Sequence, residues 1–504
     1  MALATTKLAL SMKNIAIQCL LRPAFTVVER CADFKNHRDT LERIDRLLID
    51  SEVQSQAVEF ALEGRQPMSV KAWQNRANFA IKALRMETLR YLLGGISFRH
   101  LSRALGSSDL WADFCRVRHI DGIRGISKST VERASKFFSE EQLRALHRTL
   151  TEVVGDAFLS RQVGLDKPLD TTICLIDGTC LEVNIHWPTD WVLLKDVAGT
   201  LLKAIRLIRE KAGLRHRMPV EPQQLARQMN RLCIQMTHSR RRKDSVRQRK
   251  RILRQMKKLL KRIGEHARSH RDLLQVCWEQ SDYSEKQVNQ ILSRIERMNE
   301  LIPVVIQQAH ERIIGGRQVK NADKVLSVYE PDVQVIVRGK AGKEVEFGNT
   351  LFLGESVEGY LLDWKLYGSR TPSENEQMLE SLQRQNRFDL EEPIAALCGD
   401  RGFATQRARR QLAQEGIYDA LCPRDPKQLK KRMEEPQFRQ LQKRRASTEG
   451  RIGVLKNRWH AGLLRSKGFE NRSKSVAWSV ISHNLWKIAR MLAQQDGQKI
   501  QAAA

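Results

Sequence analysis

Long apolar segments are absent from this sequence, whose hydrophobic runs are short and interrupted. None approaches the roughly 20 residues of a membrane-spanning helix, and the N-terminus lacks the apolar core of a signal peptide. Acidic side chains are outnumbered, with 58 Asp and Glu against 87 Lys and Arg. We therefore expect a cytoplasmic protein that has no membrane segment and carries a strong positive charge.

The metal-binding patterns of cysteine and histidine are missing as well. The nine cysteines contain no CxxC pair, and the 12 histidines form no HExxH or HxH cluster. These absences argue against a zinc finger, a histidine-rich metal site and a secreted disulfide framework. We expect the cysteines to be reduced and to pack as small hydrophobic residues.

Positive charge is the main feature of the composition. A net charge of +29 and a pI near 10.0 point first to nucleic acid and only second to a membrane surface. The charge is concentrated between Lys203 and Arg262, where 21 Lys and Arg stand against 3 Asp and Glu. Within residues 238–262, apolar side chains recur at helical spacing, so the sequence predicts an ordered basic helix there rather than a disordered tail.

The N-terminal part of the chain is predicted to be helical. Residues 1–34 carry little pattern, whereas residues 35–165 show the apolar spacing of helices. Segments 96–117 and 126–138 predict short helices joined by tight turns, with Ser127 as an N-cap. Such helices with basic side chains suit a helix-turn-helix DNA reader, and an ordinary helical bundle explains the pattern nearly as well.

Strand patterns appear further along the chain, and two of them lead to an acid. The apolar run TTICLI is followed by Asp177 and the run PIAALCG by Asp400, so the pattern predicts two strands that each end on an aspartate. Between them, residues 324–366 predict an antiparallel meander with turns at glycine and proline.

The segment RRASTEGRIGVLKNRW, residues 444–459, predicts one helix on which Arg445, Glu449 and Lys456 share an edge. An ion pair between Arg445 and Glu449 on a surface helix would explain this arrangement without any function. Two acids at strand ends and a third on a helix are instead what a phosphoryl-transfer site needs, because carboxylate oxygens hold Mg²⁺ and leave places for water and phosphate. The basic residues on the same edge would then bind DNA phosphates.

Four other polar residues near the first acid compete for a role. Asp170 is the rival for the first acid, but it precedes the predicted strand. His186 and Asp190 could assist at the site, although hydrogen bonds that fix their loop are the favoured interpretation. Glu182 would face the other side of an extended strand from Asp177, and we leave it out of the site.

Four passages resemble a known family, the DDE-type insertion-sequence transposases, close to the bacterial ISNCY-like groups. DGTCLEVNIHWPTDWVLL resembles the first-acid passage, which begins at Asp177, and KVLSVYEPDVQVIVRGKAGKEVEFG is similar to the strand pair. CGDRGF resembles the second-acid motif and points to Asp400. RASTEGRIGVLK matches the R-x3-E-x6-K part of the third-acid signature, with Arg445, Glu449 and Lys456 in register.

The resemblance covers residues 75–490 and implies an α/β fold. Its core would be a ribonuclease H-like catalytic domain, a mixed sheet flanked by helices, which contains a large basic helical insertion and follows a helical N-terminal DNA-binding region. The implied parts are a poorly patterned N-terminus (1–34), a helix-turn-helix-like DNA-binding region (35–165), the catalytic domain (166–495), the basic insertion within it (191–315) and a tail (496–504).

The resemblance also implies a reaction. Asp177, Asp400 and Glu449 would be catalytic and would bind two Mg²⁺ or Mn²⁺ ions, while Arg445 and Lys456 would bind DNA. The enzyme would cut DNA at the ends of a mobile element and join the freed 3′-hydroxyl to target DNA. Its partners would be the terminal inverted repeats, target DNA and further copies of itself in a dimer or larger assembly, in the bacterial cytoplasm at the nucleoid.

Two alternatives stay open at this point. One is a DNA-binding regulator that derives from a transposase and lacks catalysis, and the other is a nuclease that cuts without joining. The chain departs from the family pattern at Gln442, where many members have a tyrosine three residues before the arginine. This departure affects a contact with DNA rather than the three acids.

Overall fold

The computed structural model of this protein describes residues 31–64, 69–119, 122–123, 125–239, 245–340, 343–386, 392–460 and 462–503. They form two compact units. The first draws on the described parts of Met1–Glu182, Thr350–Tyr367 and Thr371–Ala504, and the second on those of Val183–Asn349 and Gly368–Arg370. Most of the N-terminus predicted to lack pattern, residues 1–30, lies outside the described residues. No helix within the described ranges is long and apolar enough to cross a membrane.

The N-terminal part of the first unit is helical, as predicted. The described helices are Ala32–Asp50 (α1), Val53–Leu62 (α2), Val70–Leu92 (α3), Phe98–Ser107 (α4), Asp109–Phe114 (α5), Lys128–Ser135 (α6), Glu140–Gly155 (α7) and Leu159–Gln162 (α8). A buried ion network ties them together, because Asp45 on α1 accepts from Arg85 on α3 and, at 2.6 Å, from Arg116. Breaking such a buried pair is costly, so this network fixes how the helices pack.

The short helices of the predicted DNA reader are present. Ser127 caps α6 by accepting from the backbone N–H of Thr130 at 3.2 Å, which confirms the predicted N-cap. The two helices predicted within residues 96–117 are α4 and α5, and they are joined at Ser108, whose side chain caps α5. Between α5 and α6 the sequence analysis missed a short antiparallel hairpin of Arg118–His119 (β1) and Gly122–Ile123 (β2).

A mixed sheet of six strands is flanked by helices, and this coarser part of the predicted fold is confirmed. Its strands are Ile173–Glu182 (β3), Gln334–Lys340 (β4), Lys343–Glu355 (β5), Leu361–Leu366 (β6), Ala396–Gly399 (β7) and Tyr418–Leu421 (β8). The order is β4-β5-β3-β7-β8, and β6 pairs with β5. Strands β4, β5 and β6 pair antiparallel, which confirms the predicted meander, whereas β3, β7 and β8 run parallel.

One predicted strand boundary is wrong. The run TTICLI was expected to end at Asp177, but β3 continues through Asp177 to Glu182. Past Asp177 it includes the buried residues Cys180 and Leu181, and the carbonyl of Glu182 accepts from the N–H of Leu464 at 2.8 Å. Backbone pairing therefore carries the strand beyond the apolar run from which its end was predicted.

The second unit is built mainly from helices around one apolar core. Its helices are Asp190–Arg206 (α9), which continues as a π-helical turn at Leu207–Lys211, Pro222–His238 (α10), Ser245–Cys277 (α11) and Glu285–Ile313 (α12). Helix α11 confirms the ordered basic helix predicted within residues 238–262, except for residues 240–244, which lie outside the described part. Its apolar residues are buried in that core.

The remaining helices of the first unit follow the strands. They are Glu374–Gln385 (α13), Gln406–Gln414 (α14), Pro426–Arg432 (α15), Pro436–Arg445 (α16), Thr448–Val454 (α17) and Phe469–Ala503 (α18), with a π-helical turn at Leu455–Trp459 after α17. Helix α18 runs through most of the segment that was expected to be a tail, 496–504. It buries Val480, Leu485 and Ile488.

Candidate active site

Two of the three predicted acids lie on neighbouring parallel strands. The register of β3 and β7 pairs Leu175 with Cys398, and Asp177 and Asp400 each follow two residues later. Parallel strands keep this register, so the two aspartates reach the same level of the sheet. Gly399 allows the close packing just before Asp400, because a Cβ atom there would lie 2.9 Å from a side-chain carbon of Ile176.

Each aspartate is oriented by a backbone N–H group. Oδ1 of Asp177 accepts from the N–H of Gly178 at 2.7 Å, and Oδ1 of Asp400 accepts from the N–H of Gly402 at 2.9 Å. Within the described part of the chain, no hydrogen bond occupies Oδ2 of either side chain. In each aspartate, the hydrogen bond to Oδ1 therefore fixes the orientation of the carboxylate, and Oδ2 is left for a cation.

The segment that carries the third acid is not the single helix that was predicted. Helix α16 ends at Arg445, α17 begins at Thr448, and the chain then changes to a π-helical turn that contains Lys456. Glu449 therefore lies in the first turn of a new helix, and no salt bridge in the described structure joins it to Arg445. Nor does any contact among the described residues join Lys456 to the acids. The periodicity that placed all three residues on one edge does not hold across these breaks.

A buried carboxylate on the sheet holds the start of α17. Oε1 of Glu355, at the end of β5, accepts from Thr448 Oγ1 at 2.7 Å and from Arg444 Nη1 at 3.2 Å. Its Oε2 atom pairs with Arg451 Nε at 3.0 Å, and the residue is 1% exposed. Since Thr448 directly precedes Glu449, Glu355 sets where the third acid emerges.

Gln442 joins the preceding helix to the strand that carries Asp400. Its Nε2 atom donates to the carbonyl of Ala420 at 2.7 Å and to that of Gly399 at 3.3 Å. Its Oε1 atom accepts from Arg445 Nε at 3.4 Å. Gln442 thus positions Arg445 beside the end of β7.

The charged residues of the candidate site act electrostatically on Asp177. Desolvation and the negative charges of Asp400 and Glu449 raise the pKa of Asp177, whereas the Gly178 N–H and the positive charge of Arg445 lower it, and the net pKa is about 6. Four predicted residues, separated by up to 272 positions in the chain, therefore act on one another electrostatically. Lys456 is the predicted site residue for which the structure shows no such link.

A fourth acid, Glu374, was missed by the sequence analysis. Desolvation raises the pKa of Glu374, as do the negative charges of Asp400 and Asp177, while Arg424 lowers it. A Cβ atom at Gly402 would lie 1.7 Å from Glu374 Oε2, so the glycine of CGDRGF leaves the space that this carboxylate fills. The capping box that starts at Ser373 locates the beginning of α13, but nothing in the sequence connects that helix to the strand of Asp400.

Arg424 holds the turn that follows Asp400. Its Nε atom donates to the carbonyl of Arg401 at 3.0 Å and its Nη2 atom to that of Gly402 at 3.2 Å. The turn carries the N–H group that orients Asp400, so Arg424 supports the second acid through the backbone. It also supplies positive charge next to the acids.

Asp170, the rival for the first acid, has a local structural role. Its Oδ1 atom accepts from the N–H of Thr172 at 2.9 Å and from Thr172 Oγ1 at 2.6 Å. These bonds fix the backbone just before β3 begins. The structure therefore favours Asp177 over Asp170 as the acid that belongs with Asp400.

His186 and Asp190 also make structural contacts, as the favoured interpretation expected. His186 Nε2 lies 2.8 Å from Asp196 Oδ2 on α9. Asp190 is buried, and its Oδ1 atom accepts from Gln308 Nε2 and from Arg312 Nη1, each at 3.0 Å. Both residues thus tie together parts of the second unit.

The donor set suits a hard divalent cation, although it is not arranged as a closed cluster. Carboxylate oxygens are the ligands that Mg²⁺ prefers, and Asp177, Asp400, Glu449 and Glu374 supply only these. Among the described residues, no three His, Cys, Asp or Glu side chains lie close enough together to enclose a metal ion. Glu449 is exposed, and its charge acts on Asp177.

Comparison with known proteins finds no match to this chain. No protein family model, curated protein or solved structure matches this chain.

Proposed function

We propose that this protein is a metal-dependent DNA transposase of the DDE type with a ribonuclease H-like catalytic core. The observation that carries the proposal is the register that brings Asp177 and Asp400 to the same level of the sheet, with Glu449 and Arg445 close enough to act on the Asp177 carboxyl group. The mixed sheet, with the first acid on β3 and the second just after its parallel neighbour β7, supports it. So does the strongly basic composition.

In this proposal, Asp177, Asp400 and Glu449 hold Mg²⁺ or Mn²⁺, two ions in the complete site. The bound metal would activate the attacking oxygen and stabilise the leaving one. Arg445 would bind a phosphate of the DNA strand that is cut, since its guanidinium group already lies within electrostatic range of Asp177. The assignment of Lys456 as a second phosphate contact rests on the sequence resemblance alone.

Other residues of the chain position these groups. Glu355 holds α17 through Thr448, and Gln442 holds Arg445. Helices α4 to α6 would recognise the terminal inverted repeats as a helix-turn-helix module. The protein would act in the bacterial cytoplasm on DNA, as a dimer or larger assembly that brings two element ends together.

The proposal is tested by cleavage and joining of labelled element-end DNA in the presence of Mg²⁺. We expect the intact protein to cut and to join, and Glu449→Gln to bind the same DNA without doing either, because the substitution keeps size and removes charge. Binding by both proteins without cleavage by the intact one, with the correct ends supplied, would refute the enzymatic proposal. Cleavage without joining would instead identify a nuclease.

A DNA-binding regulator without catalysis is the second candidate. The observation that favours it is the lack of a closed metal-binding cluster among the described residues. Binding of Mg²⁺ to the intact protein, measured by calorimetry and lost in Asp177→Asn, would remove the observation that favours this candidate, and cleavage by the intact protein would exclude it.

A further inference from the structure

Helix α11 of the second unit presents a straight row of exposed basic side chains. The row, called the basic row below, has residues spaced alternately three and four positions apart, with one gap at Glu265. At about 100° and 1.5 Å per residue, the members lie within an arc of about 100° and extend over about 31 Å of helix axis. They are Arg247, Arg251, Arg254, Lys258, Lys261 and Arg268.

The opposite face of α11 fixes the direction in which the basic row points. Leu253, Met256, Leu260, Ile263 and Ala267 are fully buried in the apolar core of the unit. Their burial removes apolar area from water, so α11 cannot turn to hide the row without losing that contribution. The row is therefore a fixed feature of the surface.

No ion pair with a described acidic side chain neutralises a member of the basic row. Within the described ranges, none of its six members forms a salt bridge or a side-chain hydrogen bond, although the whole helix contains 11 Lys and Arg and two Asp and Glu. Consistent with uncompensated charge, desolvation and the positive charge of Lys261 lower the pKa of Lys257. Such a concentration of charge of one sign is held at a cost unless an anionic partner covers it.

Several anionic partners can be compared with these observations. Single-stranded nucleic acid is bound on aromatic side chains against which bases stack, and α11 contains no Phe, Tyr or Trp. A membrane-surface helix inserts its apolar face into lipid, but the apolar face of α11 is already buried. A rigid row of about 31 Å approaches the length of one turn of duplex DNA, about 34–36 Å.

We propose that the basic row is a docking surface for the phosphate backbone of duplex DNA, made of other residues than the acidic site. It would bind without reading sequence, because its contacts go to phosphates rather than to base edges. The choice of DNA over duplex RNA rests on the proposed function. The existence of the basic row does not depend on that function. The second unit would thus bind DNA of any sequence and increase the affinity of the protein. Selectivity for a sequence would come from other parts of the chain.

The test measures how the affinity of the full chain for a 40-base-pair duplex of random sequence depends on KCl, without divalent cations. Each neutralised phosphate contributes about 0.9 to the slope of log K against log salt, so the triple variant Arg251→Gln, Arg254→Gln, Lys258→Gln should lower that slope by about 2.7. All three side chains are exposed, so the core is not altered. Arg251→Lys with Arg254→Lys keeps the charge and should keep the slope.

A matched control removes three exposed charges elsewhere in the same unit, as Arg227→Gln, Arg231→Gln, Arg294→Gln. We expect its slope to fall by less than half as much. An equal fall in the control, an unchanged slope in the variant of the row, or no duplex binding by the intact protein would overturn the proposal.

Two further ligands distinguish the partners. If the row variant lost affinity for vesicles of phosphatidylserine and phosphatidylcholine but kept its slope on DNA, the row would be a membrane contact and the proposal would be wrong. A larger loss on duplex RNA than on duplex DNA would also overturn it. Failure of the transposase proposal would give a different result. Intact protein that does not cut DNA can still show the change of salt slope in the row variant. Glu449→Gln should leave the salt slope unchanged.

Discussion

Replacing Asp177 with asparagine should stabilise the protein at neutral pH. Desolvation, together with Asp400 and Glu449, raises the pKa of Asp177 from 3.8 to about 6, so its ionisation costs more in the folded chain than in the unfolded one. The pKa of Asp177 is higher in the folded chain than in the unfolded one, so the protonated side chain favours folding. This contribution to the free energy of unfolding is lost as pH rises from about 3.8 to about 6. At 1.36 kcal/mol for each pKa unit, the loss is about 3 kcal/mol.

Urea denaturation of the intact protein and of Asp177→Asn, in buffer without divalent cations, measures this effect. By the same linkage relation, we expect the variant to be more stable by about 3 kcal/mol at pH 7.5 and by about 1 kcal/mol at pH 4.5. Asp170→Asn is the control, because Asp170 accepts hydrogen bonds from Thr172 that an asparagine Oδ1 atom can also accept. No gain in Asp177→Asn at pH 7.5, or an equal gain in Asp170→Asn, would refute the reasoning.

The same experiment with added Mg²⁺ tests what the three acids bind. A ligand that binds only the folded state stabilises it by about 2.7 kcal/mol at a concentration 100 times its Kd. We expect Mg²⁺ to stabilise the intact protein and to have little effect on Asp177→Asn. Equal stabilisation of both proteins would place the cation elsewhere.

Three further substitutions test the supporting residues. Gly402→Ala should slow cleavage, because its Cβ atom would lie 1.7 Å from Glu374 Oε2 and would displace that exposed carboxylate, and a cleavage assay measures the effect. Arg445→Gln should raise the pKa of Asp177, since Arg445 lowers it, and should therefore move the acidic limb of the pH profile for cleavage to higher pH. Glu355→Gln should reduce the cleavage rate while DNA affinity is kept, because the buried carboxylate holds the start of α17 rather than DNA.

Each of these variants has a control in the chain. Gly497→Ala places a methyl group in open space within α18 and should leave cleavage unchanged. Lys443→Gln removes an exposed charge from the helix of Arg445 and should leave the pH profile unchanged. Glu358→Gln changes an acid that lies three residues after Glu355 and outside the contacts to α17, so it serves as the control for Glu355→Gln. A control that matches its partner variant would contradict the role assigned to that partner.

Local patterns predicted the strands that approach the site. The run PIAALCG became β7, followed directly by Asp400, because a short buried strand is marked by an apolar run. The same rule failed for β3, where the run ends before the strand does. Pairing with neighbouring strands decides that boundary, and those partners lie far away in the sequence.

The third acid shows a different kind of error. Helical spacing across residues 444–459 suggested one helix, but contacts of Glu355 with Arg444, Thr448 and Arg451 divide it. These contacts join residues that are 89 to 96 positions apart. A period in the sequence reports which side chains could share a face, and a tertiary contact determines whether the helix continues between them.

Glu374 could not have been found from local signals. A capping box marks the start of its helix, but its proximity to Asp400 depends on the turn at Gly402 and on Arg424, neither of which is near it in the sequence. The charge linkage among the acids became visible only with the sheet register. Sequence motifs therefore indicated three of the four acids, and the fold was needed for the fourth.

The pairing of β3 with β7 has a consequence for how the protein is made. Ile173 pairs with Ala396, so 223 residues separate partners on adjacent strands. At about 5–20 residues per second, a ribosome needs about 11–45 s to bring out β7 after β3. During that time, one edge of an apolar strand stays without its partner, and such edges are prone to aggregate. The acids meet only when about nine-tenths of the chain has been made, so the site cannot be assembled before synthesis is nearly finished.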